Sequence, residues 1–141
     1  MLDTILKHQG IVFEQVAPAQ LAAYEGQDIT AVIIPQPNFL GQLIATDQLT
    51  DWAHAQNALV IGVVNPVAMA LIKLPGQWGE QGADIVCGEG QSLGVPMSSG
   101  GPLFGFMYCK QAYVRQIPGR ICGALGGCLW QARILLNVTS T

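Results

Sequence analysis

The stretch richest in potential chemistry is Gly88 to Pro102, which reads G-E-G-Q-S-L-G-V-P-M-S-S-G-G-P. A loop of that length inside a small domain is uncommon and often functional. Ser98 and Ser99, followed by the amides of Gly100 and Gly101, are suitable groups for a phosphate cradle. Their hydroxyls can donate, and glycine lets the backbone approach an anion closely. Neither nucleotide signature accompanies them: there is no G-x-x-x-x-G-K-[ST], and no G-x-G-x-x-G between a strand and a helix. A serine nucleophile would need a partner base. His54 is the nearest candidate in type, and no G-x-S-x-G occurs, so acyl-transfer chemistry is disfavoured. Packing of the loop against another subunit competes with all of these readings.

The remaining reactive residue types are scattered. Cys87, Cys109, Cys122 and Cys128 form no C-x-x-C pair, and His8 and His54 are the only histidines, so no zinc spacing exists. The cysteines read as free, buried thiols in a reducing compartment. His54 follows Trp52 on a helical segment and reads as a surface or capping residue, not a ligand. Trp52, Trp78 and Trp130 read as packing anchors. Arg115 and Arg120 flank Pro118-Gly119 and suit a carboxylate or phosphate as well as a salt bridge to a partner.

The elements that must position these residues alternate. Ile11–Val16 alternates weakly and reads as a strand, and Pro18–Tyr24 as one or two helical turns. Thr30–Pro35 and Ala58–Val64 are continuous apolar runs that suit strands buried on both faces. Between them, Thr46–Gln56 carries Leu49, Trp52 and Ala53 on one helical face, with Thr46 as N-cap. Val67–Leu74 reads as a short helix, Ala83–Cys87 and Phe104–Cys109 as further strands, and Lys110–Gln116 as a helix stopped by Pro118-Gly119. Strands alternating with helices predict an α/β fold with a largely parallel sheet, flanking helices and both faces covered.

Composition narrows the function classes. Only 11% of the 141 residues are charged, 50% are hydrophobic, and the net charge is −3. An average domain carries about 25% charged residues. So apolar a chain is not disordered, and its acidic balance gives no electrostatic footprint for nucleic acid. The run Ala58–Ile72 is broken by Asn65 and Pro66 and falls short of the roughly 20 residues of a spanning helix. The first nine residues lack the apolar core of a signal peptide, and no lipidation signal closes the chain.

Several long, ordered blocks resemble subunit 1 (the alpha subunit) of the glycine cleavage system P-protein. They are Q-P-N-F-L-G (Gln36–Gly41), A-H-A-Q-N-A-L (Ala53–Leu59), N-P-V-A-M-A-L-I-K-L-P-G (Asn65–Gly76), the run Gly82–Phe106, and Y-V-R-Q-I-P-G-R (Tyr113–Arg120). The resemblance implies a partial large domain of a fold-type-I pyridoxal-phosphate (PLP) transferase, central in the family's full subunit. It implies a parent complex that decarboxylates glycine and passes the aminomethyl group to the lipoyl arm of H-protein, with PLP as electron sink. It also implies a PLP-bearing subunit 2 as partner and a cytoplasmic setting. Such chemistry requires a Schiff-base lysine. Registering the family's G-G-P segments puts Gln91 at that position, and Asn65 stands where the aspartate facing the PLP ring nitrogen is expected. Lys73 and Lys110 fall outside the loop. The isolated chain is therefore expected to carry no cofactor of its own and to be inactive, with Ser98, Ser99, Gly100 and Gly101 as the weak candidates for touching a phosphate. A catalytically silent, self-associating domain is the alternative.

The resemblance runs from Pro35 through Gly123 and stops there, and residues 1–123 are read as the partial large domain. Residues 124–141 form an apolar tail in which Leu125, Leu129, Ala132 and Leu136 fall at helical spacing, so a docking helix is expected. Read one base later, permitted codons for Leu125–Thr141 can encode L-V-D-A-Y-G-K-R-G-F-F-L-T-L-Q-A-R, which looks like the family's continuation. A one-base slip is the expected origin of the tail, and the gene's nucleotide sequence decides it: the shifted frame must encode that string.

Overall fold

The computed structural model describes residues 2–118, 121–125 and 133–137. The chain divides into two compact units, residues 1–109 and 110–141. The first runs α1 (Leu2–Leu6), β1 (Ala31–Gln36), α2 (Thr46–Ala55), β2 (Leu59–Val64), β3 (Ile85–Glu89) and β4 (Gly105–Cys109), with short 3-10 turns between. The sheet order is β1-β2-β3-β4. β1, β2 and β3 are parallel, while β4 returns antiparallel to β3. Pro35 is accommodated because β1 lies at the sheet edge, where a missing N–H is tolerated.

Register explains the core. Ile34 lies opposite Gly62, and Gly62 opposite Val86, so Ile34, Val60, Val64 and Val86 share one face. All four are buried together with Ala53 of α2, Ala58, Ala83 and a fully buried Trp78. A Cβ on Gly62 would lie 3.1 Å from the Trp78 ring, so glycine at that position makes room for the indole. The indole N–H is satisfied by the Lys73 carbonyl at 3.1 Å. Burying side chains of this kind is worth about 1.5–3 kcal/mol each.

Several sequence expectations need correction. Among the described residues the buried core lies on one face of the sheet, not both. The opposite face, with Ile33, Ile61 and Ile85, is only half-buried, and Val63 is exposed. Ile11–Val16 forms no strand, since no sheet edge pairs with it, and Val12 is exposed. Val67–Leu74 shortens to a 3-10 turn, Ala68–Ala70, because Leu71 finds nothing to pack on and is 91% exposed. The N-cap of α2 is Ala45, and Thr46 is buried inside the first turn. Lys110–Gln116 becomes a 3-10 helix, Gln111–Gln116. In the second unit the expected tail helix is contradicted at Leu125 and Leu136, which lie in β5 (Ile121–Leu125) and β6 (Arg133–Asn137), paired antiparallel with Gly123 opposite Leu135, so that strand pairing satisfies the backbone there; Leu129 and Ala132 lie outside the described residues.

One carboxylate joins the layers. Asp84, immediately before β3, is 5% exposed. Its Oδ2 accepts the Val60 backbone N–H at 2.8 Å and lies 2.9 Å from His54 Nε2 on α2. The Asp84 N–H in turn donates to the Val60 carbonyl at 2.9 Å. His54 is thus a partly buried tether between helix and sheet, which corrects its reading as a surface or capping residue. A lone acid entering an apolar strand must find such partners, because an unpaired buried charge is strongly disfavoured. Asp84→Ala should lower unfolding free energy by about 3 kcal/mol, the cost of leaving buried donors without an acceptor. Urea titration checks this, and a loss below about 0.5 kcal/mol, within the scatter of surface substitutions, would contradict it.

Candidate functional site

In open α/β sheets ligands bind beyond the carboxyl ends of parallel strands. Here that edge is formed by the segments that follow β1, β2 and β3. After β1, the buried Gln36 amide clamps Ile44: its Oε1 accepts the Ile44 N–H at 3.1 Å, and its Nε2 reaches the Ile44 carbonyl at 3.5 Å. Asn38 Oδ1 accepts the N–H groups of Leu40 and Gln42 at 3.0 and 2.9 Å. After β2, Asn65 Oδ1 accepts Val67 N–H at 2.9 Å and Ala68 N–H at 3.3 Å. Its acceptor oxygen therefore caps the following turn.

The glycine-rich loop after β3 is also bonded to itself. Glu89 Oε1 accepts the Gln91 N–H at 2.6 Å, and the Gly90 N–H donates to the Phe104 carbonyl at 2.8 Å. Gly90 is buried, and a Cβ there would enter the Phe104 ring. The loop then folds back so that a Cβ on Gly101, which has φ +54°, would lie 2.9 Å from Gln91 Nε2. The structure thus brings Gln91 and Gly101 together. Of the other phosphate candidates, Gly100 N–H donates to the Met97 carbonyl and Gly101 N–H to the Ser98 carbonyl. Ser98 is exposed. The Ser99 side chain, Arg120 and Trp130 lie outside the described residues.

These residues do not fit covalently held PLP. Gln91 has no amine to form an imine. Lys73 Nζ sits 2.7 and 2.8 Å from the Asp47 carboxylate oxygens. The hydrogen bond from Lys73, aided by one from Gly79 N–H, holds the Asp47 carboxyl below its ordinary range. The Cys87 thiol at the head of the loop is pushed up by burial, which disfavours its nucleophilic thiolate. Among the described residues no three His, Cys, Asp or Glu side chains gather as a metal site, and no helix is long and apolar enough to cross a membrane.

A model of the glycine cleavage system P-protein matches residues 1–127. The chain belongs to the glycine cleavage system P-protein family. It is 70% identical over 109 residues to the "Probable glycine dehydrogenase (decarboxylating) subunit 1" of Thioalkalivibrio sulfidiphilus, covering 77% of this chain and 24% of that protein. A protein of the same name from Francisella philomiragia is 54% identical over 132 residues, covering 87% of this chain and 29% of the relative. A crystal structure of glycine decarboxylase (P-protein) in inhibitor-bound form superposes with a TM-score of 0.68 at 40% identity, over 80% of this chain and 25% of that one. The chain therefore spans about a quarter of the length of these P-proteins. The fold is a partial large domain of the fold-type-I PLP class, with a mostly parallel four-stranded sheet. Within this family, the His54–Asp84 tether and the Gln36 clamp are the elements that sequence reasoning missed. The signal for the first was an isolated acid at the entry to an apolar strand, in G-A-D-I-V.

Proposed function

We propose that this chain is a segment of P-protein subunit 1 whose parent complex takes part in PLP-dependent glycine decarboxylation and aminomethyl transfer to lipoyl H-protein. In that reading the segment is a scaffold without the Schiff-base lysine, and PLP is carried by subunit 2 in a cytoplasmic complex. When bound there, PLP would supply the electron sink for the carbanion formed at glycine. This chain's own residues position backbone: Gln36 and Asn38 hold one loop, Asn65 caps a second, and Glu89 anchors a third. The observation that carries the proposal is Gln91 at the expected imine position, with its N–H held by Glu89 and its amide against Gly101. A glutamine amide cannot condense with an aldehyde, and that loop contains no lysine.

The same reading treats residues 1–123 as the family domain and 124–141 as a tail that arose by a slipped frame. It is compatible with self-association, since so few charges cover the surface. The test is glycine-dependent exchange of labelled bicarbonate into glycine. Chain, PLP and H-protein together should show no exchange above the PLP-only background. Exchange that depends on this chain without subunit 2 would overturn the proposal.

A further inference from the structure

Three sulfur side chains share the face of the sheet that is turned away from the core. Side chains alternate along a strand, and directly paired residues lie on one face. Val86 is buried in the core, and Phe106 packs against that core. Cys87 and Met107 follow them by one residue on β3 and β4 and are paired with each other, so they belong to the other face. Cys109 pairs with Ile85, two residues from Cys87, and joins them.

Their spacing suits one shared ion and not a cross-link. Directly paired Cβ atoms lie about 4.5–5.5 Å apart and diagonal neighbours about 7–8 Å. A disulfide needs Cβ atoms about 3.8 Å apart, which the Cys87–Cys109 diagonal does not offer, and both cysteines are free thiols. Metal–thiolate bonds of about 2.3 Å bring sulfurs together from wider positions, and the flexible methionine side chain adjusts to complete the set. Around the sulfurs, Val63 pairs with Cys87, and Ile61 with Ile85. Both cysteines are half-buried and Met107 is 41% exposed, so the group is shielded by apolar neighbours and still open to solvent. The carboxylate farther along this side of β3, Glu89, is bonded to Gln91 N–H, and His54 is bonded to Asp84. The donor set is therefore sulfur alone. Zinc takes four ligands from thiolate, imidazole and carboxylate, whereas two thiolates and a thioether select the softer Cu(I).

We propose that Cys87, Met107 and Cys109 form a three-sulfur site for Cu(I). Binding is ligand exchange with no change of oxidation state. Each thiol releases its proton to solvent as its S–Cu bond forms, and the Met107 thioether contributes a lone pair. This goes beyond the subunit reading and does not depend on glycine chemistry.

The test is anaerobic titration of the reduced, full-length chain with Cu(I) against bathocuproine as competitor. A Cys122→Ser/Cys128→Ser background removes the other thiols. The chain should withdraw one equivalent of Cu(I) from the chelator, and copper X-ray absorption should report sulfur neighbours only. Cys87→Ser and Cys109→Ser should each abolish the transfer. Met107→Leu should weaken binding at least about tenfold, the loss that removing even an outer-shell partner causes. Its thermal midpoint should be unchanged, because leucine conserves volume at an exposed position. Cu(I) that stays on the chelator, or binding that survives Cys109→Ser or is unaffected by Met107→Leu, would overturn the proposal.

Discussion

The fold depends on one buried carboxylate. Asp84 sits where β3 begins, and its side chain takes a hydrogen-bonding place that the sheet's own backbone leaves open at Val60. The same oxygen receives His54 from α2, so strand pairing and helix docking share one acceptor. A buried negative charge cannot be left half-paired at low cost. It therefore sets where β2 and β3 align and where α2 lies over them. Around it the apolar residues can be small, as Ala53, Ala58 and Ala83 are, because Trp78 fills the volume above Gly62.

From that anchor the carboxyl ends of β1, β2 and β3 open onto three loops, each closed by an amide or carboxyl side chain. Gln36, Asn38, Asn65 and Glu89 all accept backbone N–H groups, so the polar groups at this edge are engaged in holding loop shape. Where a ligand-binding edge would offer free donors, Gly100 and Gly101 donate within their own turn. The large side chains that follow the strands, Phe39, Leu40, Leu71, Leu93 and Met97, remain in solvent. An edge with bonded amides and exposed apolar side chains is better suited to contact with protein than to chemistry on a small anion.

Much of this was legible in the residues. The runs Thr30–Pro35 and Ala58–Val64 were readable as parallel strands because buried parallel strands are apolar at every position. The helix between them was readable from its 3.6-residue period. The direction of β4 was not, because a strand reached through a fifteen-residue loop carries no local mark of whether it returns parallel or antiparallel. The His54–Asp84 pair was hidden by a separation of 30 residues. At Arg133–Asn137 the helical spacing of apolar residues was a poor guide, because a short apolar run suits a strand as well as a helix once a partner strand is available. Gln91 stood out only through the family resemblance, since glutamine in a glycine-rich loop has no intrinsic signature.

Borohydride reduction of the assembled P-protein, formed from this chain and subunit 2 with PLP present, tests the absence of a Schiff-base lysine from this chain most directly when followed by peptide mapping. The pyridoxyl label should fall on subunit 2 alone. A pyridoxyl-lysine in this chain, at Lys7, Lys73 or Lys110, would contradict the account.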